Sequence, residues 1–216
     1  MPVPKLLDLR HRSDLWLAVA LVAVAFYAGC NAFPEVRFDR ERIEVWVVPQ
    51  QIRVSGLYHY RNPSLLPAWY SLELPFPVDE EHPRPSIYSI AAVTEGCSTV
   101  ELIPTKERNS AVEFRIFLRP RESKWVRVTY VQGANTPRGT YILTTTRKWH
   151  RALEEGDYIL HMGKVLQLES SNYAADASAT GERNTYTFSK TDFYPSEDWN
   201  FTWRDAGGAS SGSGGP

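Results

Sequence analysis

Two histidines and three nearby carboxylates are the side chains in this sequence that could perform acid–base or metal chemistry together. His150 and His161 flank Glu154, Glu155 and Asp157. Metal sites that can be recognised in a sequence have tight spacing, such as two His four positions apart on one helix face. Here a predicted helix, a turn and a strand separate the two His residues. We therefore expect solvated polar side chains with no metal and no cofactor, and a hydrolase built on this group is the second of two alternative functions.

Cys97 could act as a nucleophile if a histidine approached it in the fold. Its neighbours, residues 94–99, carry no local signature of a cysteine enzyme, and Gly96 indicates a turn or a bulge. The chain also contains no Gly-x-Ser-x-Gly elbow, phosphate-binding glycine loop, dinucleotide fingerprint or His-Glu-x-x-His pattern. We therefore assign no catalytic residue and expect a protein that is not an enzyme.

Three tryptophans near the C-terminal end of the chain are the candidate ligand-binding residues. They are Trp149, Trp199 and Trp203. Exposed aromatic rings can stack on the C–H faces of sugars, but aromatic side chains more often supply buried area to a core. Packing is the favoured interpretation. A glycan-binding module is the first alternative function, and it requires at least two of these rings to be exposed and roughly coplanar.

Residues 15–33 form an uncharged apolar segment that follows a short basic leader, residues 1–14. As a helix this segment would be roughly 28 Å long, which is enough for a thin bilayer. Lysine and arginine are nearly balanced on its two sides, so charge does not decide the orientation. The short N-terminal tail and the usual behaviour of a first apolar segment favour export of the C-terminal part. We predict a membrane-targeting helix here.

The end of this segment, Tyr27-Ala28-Gly29-Cys30, resembles a bacterial lipobox. The resemblance implies cleavage before Cys30 and lipidation of that residue. Ala28, Gly29 and Cys30 match the pattern, whereas Tyr27 stands where an aliphatic residue is usual. A lipoprotein and an uncleaved anchor therefore both remain open.

Alternating apolar and polar residues dominate the chain from Ile43 onward, the period expected of strands with one buried face. The predicted strands are 43–48, 52–60, 69–74, 87–94, 99–103, 112–118, 126–130, 140–146, 157–161, 165–168 and 184–189. Only residues 147–155 favour a short helix, which would end at Gly156. The pattern predicts an all-β fold, an antiparallel β-sandwich that is Ig-like in general shape, over residues 34–205 after one N-terminal hydrophobic helix. Residues 206–216 are rich in Gly and Ser and predict a flexible tail.

Composition limits the function classes further. The 216 residues include 24 Lys and Arg against 25 Asp and Glu, a formal net charge of −1, which removes the electrostatic basis for binding nucleic acid. The leading functional hypothesis is a membrane-tethered, extracytoplasmic interaction or structural module of the cell envelope, in the periplasm or at the cell surface. Its expected partners are the membrane and an envelope protein or glycan.

Overall fold

The computed structural model describes residues 36–93, 99–180 and 183–207, together with Val19. The leader, the lipobox with Cys30, Cys97 and most of the C-terminal tail lie outside the described residues, as does all of the predicted membrane segment except Val19. Among the residues that are described, no helix is long and apolar enough to cross a membrane.

Strands make up most of the described chain. In order they are β1 Arg37–Val48, β2 Gln51–Arg61, β3 Ala68–Pro75, β4 Ile87–Val93, β5 Thr99–Glu101, β6 Lys106–Arg108, β7 Ala111–Leu118, β8 Ser123–Gly133, β9 Arg138–Tyr141, β10 Leu153–Gly163, β11 Leu166–Ser171, β12 Asp176–Thr180, β13 Arg183–Phe193 and β14 Trp199–Asp205. One 3₁₀ helix, Thr144–Trp149, connects β9 to β10. The predicted all-β class is confirmed.

One large sheet and two small sheets share the core. The large sheet has eight strands in the order β12-β13-β10-β1-β2-β8-β4-β5, and the small sheets have the orders β11-β14-β9 and β3-β7-β6. Along β1 the side chains of Ile43, Val45 and Val47 are at most 2% exposed, while the residues between them are more accessible. This alternation buries one face of the large sheet against apolar residues of the small sheets, such as Phe114 and Phe201, in one hydrophobic cluster. The result is an all-β fold resembling a sandwich.

The large sheet is mixed, which differs from the predicted antiparallel arrangement. β1 pairs with β2 in the antiparallel sense but with β10 in the parallel sense, from Arg40 opposite Glu155 to Val47 opposite Met162. A period-two pattern marks which residues face the core but is the same for both pairing senses.

The helix predicted over residues 147–155 is wrong. The 3₁₀ helix ends at Trp149, and His150 then adopts a left-handed conformation, φ 52°, that turns the chain. Residues from Leu153 onward are already strand, and Gly156 lies inside β10 rather than at a helix end. Leu153, Gly156 and Tyr158 are buried on the face toward the core, so tertiary packing overrides the local preference. Three further strands, β6, β12 and β14, were not predicted, although Trp199, Phe201 and Trp203 of β14 alternate with polar residues.

Because one tryptophan is buried in the core and another is exposed, we expect their substitution to change the stability of the protein by different amounts. Trp199 is 1% exposed and packs against Tyr158 and Phe188, whereas Trp69 is 72% exposed. We expect Trp199→Ala to lower the free energy of unfolding by about 3–5 kcal/mol, because it leaves a large cavity. The matched Trp69→Ala variant should lose less than about 1 kcal/mol. Urea denaturation measures both, Trp199→Phe provides a milder variant, and equal losses at the two positions would contradict the described core.

Candidate functional site

A buried carboxyl group, that of Glu41, lies on the core face of the large sheet. β1 carries a bulge between Phe38 and Arg40, where its register against β2 shifts. Because a bulge adds a residue to one strand, it places Phe38 and Glu41 on the same inner face although three positions separate them. Glu41 is only 5% exposed. Alternation in the sequence predicts this strand only from Ile43 onward, because Arg37, Asp39, Arg40, Glu41 and Arg42 make the preceding run highly charged.

Two Gly-x-Tyr sequences flank Glu41 on the neighbouring strands. In β2 Tyr58 is opposite Glu41, and in β10 Gly156 is opposite Glu41. A Cβ atom built on Gly156 would lie 2.7 Å from the hydroxyl oxygen of Tyr158, and one built on Gly56 would overlap that of Tyr58. Each tyrosine ring therefore leans back over the glycine two positions before it. The missing side chain at Gly156 is what lets the Tyr158 hydroxyl reach Glu41.

Hydrogen bonds join this group into a buried cluster. The Tyr158 hydroxyl donates to Oε1 of Glu41 at 2.6 Å, and the hydroxyls of Tyr58 and Tyr141 are 2.7 Å apart. Among the described residues, no Lys, Arg or His nitrogen lies within 4.0 Å of the Glu41 carboxylate. Desolvation by burial raises the pKa of Glu41 to about 7, although the hydrogen bond from Tyr158 opposes the shift. Burial also raises the pKa of Tyr58, Tyr141 and Tyr158, so these phenols stay neutral.

Glu41 lines a cavity of about 190 Å³ between the large sheet and the small sheet that contains β3. Beyond the carboxyl group, the wall is aromatic. Trp149 contacts three rings, with centroid separations of 5.8 Å to Phe38, 5.8 Å to Tyr60 and 5.2 Å to Tyr70. Lys148 and Glu73 are exposed residues of the same lining and are paired with each other at 3.3 Å. We call this space the Glu41 cavity.

Three other buried polar side chains, those of Asp39, His82 and Gln132, have ion-pair or hydrogen-bond partners within the fold and do not line this cavity. Asp39, only two positions before Glu41, is paired with His59 and with Arg61, whose nitrogen lies 3.1 Å away. The His82 ring hydrogen-bonds to the Asp79 carboxylate and the Arg138 carbonyl oxygen. The Gln132 amide donates to the carbonyl oxygens of Pro77 and Pro83. Glu41 is therefore the buried carboxylate of the described chain that lines a cavity and has no cationic partner within 4.0 Å.

Of the three tryptophans proposed for ligand binding, only Trp149 lines a cavity. Trp199 and Trp203 are 1% and 6% exposed and pack in the core beside Phe201, so they cannot offer a ring face to a sugar. The sugar platform, the alternative interpretation of these three residues, is not formed, because β14 directs Trp199 and Trp203 inward. Trp69, which is 5.0 Å from the ring of Phe117, is an accessible tryptophan instead.

The structure does not bring the proposed acid–base group together. His150 is exposed before β10 begins, and His161 lies near the far end of that strand, with roughly 26 Å of extended chain between Leu153 and His161. His161 stacks on Trp46 and faces Glu44 at 4.0 Å, and desolvation lowers its pKa. Glu154 and Glu155 face Arg40, and Glu154 also pairs with Arg61. No group of three or more His, Cys, Asp or Glu that could hold a metal occurs within the part of the chain described.

Comparisons with known proteins bear on the fold alone. No protein-family model matches the sequence, and no curated protein matches it either. Among solved structures, the chain is similar to a candidate nutrient-binding protein from Legionella pneumophila, with a TM-score of 0.63 and 10% identity over 79% of this chain and 67% of that one. It is also similar to an M1 zinc metallopeptidase from Deinococcus radiodurans, with a TM-score of 0.50 and 12% identity over 78% of this chain. The matched region spans 42% of that peptidase.

Burial of Glu41 predicts a particular dependence of stability on pH. Its pKa is raised from 4.5 to about 7, so its contribution to stability is fully present below pH 4.5 and is lost as the pH rises to about 7. At about 1.4 kcal/mol per pH unit this amounts to roughly 3 kcal/mol. Glu41→Gln still accepts the hydrogen bond from Tyr158 but does not titrate. We therefore expect its free energy of unfolding, relative to that of the unsubstituted protein, to rise by roughly 3 kcal/mol between pH 4.5 and 8. Denaturation at several pH values measures the difference, and a difference independent of pH would contradict the buried carboxyl.

The two glycines of β10 allow a matched test of the tyrosine arrangement. Tyr158 is held against Phe188 at 4.5 Å and cannot move freely, so Gly156→Ala should displace its hydroxyl from Glu41. We expect a loss of about 1–3 kcal/mol in the free energy of unfolding. Gly163→Ala is the control, because a Cβ there has nothing within 4 Å. The described geometry is wrong if the two variants are equally stable.

Proposed function

We propose that this chain is a membrane-tethered, extracytoplasmic module of the cell envelope that binds a small ligand in the Glu41 cavity. The single observation that carries the binding role is a buried carboxyl group that lines an aromatic cavity and has no cationic partner among the described residues. Such a group is costly for the fold, and polar groups of this kind inside an apolar pocket are typical of recognition sites. Residues 15–33 supply the proposed tether, through lipidated Cys30 or as an uncleaved anchor.

Two further observations support a binding role over an enzymatic one. Around the Glu41 cavity, the described residues include no cysteine, histidine or metal cluster that could serve as nucleophile or base beside the carboxyl. The fold is shared with a candidate nutrient-binding protein, and its name is consistent with this proposal. An Ig-like general shape is part of the proposal, supported by the single core between the large sheet and the small sheets.

Sugar binding is a second candidate, at a different place from the one the sequence suggested. Trp69 and Phe117 are neighbours across β3 and β7, and Trp69 is 72% exposed. An exposed ring of this size on a sheet surface can stack on a sugar. The envelope partner in this case would be a glycan held on the outer face of the small sheet.

The location is tested on the native chain in its own cells. We expect the chain in the membrane fraction, and the intact mass distinguishes the two tethers. A shortened chain with a lipid-sized increment, abolished by Cys30→Ala, identifies a lipoprotein, whereas a full-length unmodified mass identifies an anchor. A membrane-impermeant amine reagent should label the domain in intact cells while leaving a cytoplasmic control unlabelled. Recovery in the soluble fraction, or protection from the reagent, would contradict the proposal.

A further inference from the structure

The Glu41 cavity is small, which limits its ligand. Its volume of about 190 Å³ is below the 300–1,000 Å³ typical of pockets for drug-sized molecules. Only a molecule of a few heavy atoms, or the head of a longer one, fits inside. The inference that follows concerns the chemical class of this ligand and rests on the binding role proposed above.

The aromatic rings that line the cavity favour a positively charged ligand. Phe38, Tyr60, Tyr70 and Trp149 are contiguous, with neighbouring planes tilted by 31–53°. Tilted neighbouring rings can direct more than one π-face toward the same point. A cation within about 6 Å of such faces is attracted by their quadrupoles, more strongly when it is desolvated, and aromatic cages that bind quaternary ammonium groups use this interaction.

The charges around the cavity point the same way. Glu41 has no cationic partner within 4.0 Å in the described part of the chain, and the exposed Lys148 of the lining is already paired with Glu73. The other titratable residues of the lining are Tyr58, Tyr60, Tyr70, Tyr130 and Tyr141, and Tyr158 donates to Glu41 from β10. Burial keeps Tyr58, Tyr60, Tyr130, Tyr141 and Tyr158 neutral. An anion would meet the carboxylate without compensation, whereas a cation would neutralise it.

We propose that the Glu41 cavity binds a small organic cation, with an ammonium centre that lies against the rings around Trp149 and is neutralised by the Glu41 carboxylate. Phe38 and Glu41 reach the same cavity because of the bulge in β1, and Trp149 lines it as the last residue of the 3₁₀ helix. The ligand class therefore depends on features outside any local sequence motif.

Calorimetry with choline, and with its uncharged carbon isostere 3,3-dimethylbutan-1-ol, tests the role of the charge. Methylammonium and tetramethylammonium serve as smaller cationic probes. We expect at least one cation to bind saturably, and choline, if it is that cation, to bind at least tenfold more tightly than the isostere. Because the ionised carboxylate is the binding form, affinity should fall about tenfold per pH unit below 7.

Two variants and one control locate the site. Glu41→Gln should weaken cation binding at least tenfold at pH 8 and abolish its pH dependence. Trp149→Leu should weaken binding several-fold by removing a ring face. Trp46→Leu, whose ring stacks on His161 outside the cavity, should leave the affinity unchanged, and thermal unfolding confirms that each variant is folded.

The outcomes separate this inference from the proposed function. Equal binding of choline and its isostere, or cation binding insensitive to Glu41→Gln, overturns the cation while leaving a module that binds a neutral ligand. Failure of all three cations to bind at pH 8 overturns it as well. A negative result in the location experiment would remove the tether without affecting cation binding.

Discussion

The parallel pairing of β1 with β10 is the constraint on which the candidate site depends. It joins Glu41 to Tyr158, 117 positions later in the chain, and sets Gly156 directly opposite the carboxylate. A shift of one residue in this register would turn Glu41 toward solvent and the tyrosines away from it. The hydrogen bond from Tyr158 and the burial that raises the pKa of Glu41 both depend on this alignment.

Burying Glu41 opposes folding, so the rest of the core must compensate for it. The aromatic residues around Trp199, including Tyr158, Phe188 and Phe201, provide dense packing on one side of the site. Asp39, in the same strand as Glu41, is buried as well, but its charge is compensated because Arg61 of β2 pairs with it. Asp39 and Glu41 therefore differ in environment although they are two positions apart. Glu41, which has no cationic partner within 4.0 Å among the described residues, is the one that lines the cavity. Positions that depart from good packing in this way are where function is expected.

The fold by itself does not select among functions. A similar fold occurs in a candidate nutrient-binding protein and in part of a zinc metallopeptidase, at 10–12% identity. The chemistry of this chain's own cavity is therefore what favours a binding role. Of the three tryptophans singled out in the sequence, Trp149 lines this cavity, whereas Trp199 and Trp203 are buried in the core.

The sequence by itself determined the all-β class and most strands, because side-chain alternation such as that from Val112 to Leu118 records which face is buried. A local signal for the site was also present, the paired Gly-x-Tyr of β2 and β10, but a glycine two positions before a tyrosine indicates a close approach only when the register is known. Tertiary structure alone decided that β1 and β10 run in parallel, that residues 153–155 are strand, and that Glu41 is buried. These features depend on contacts between distant segments, and alternation within one segment carries no information about its neighbour.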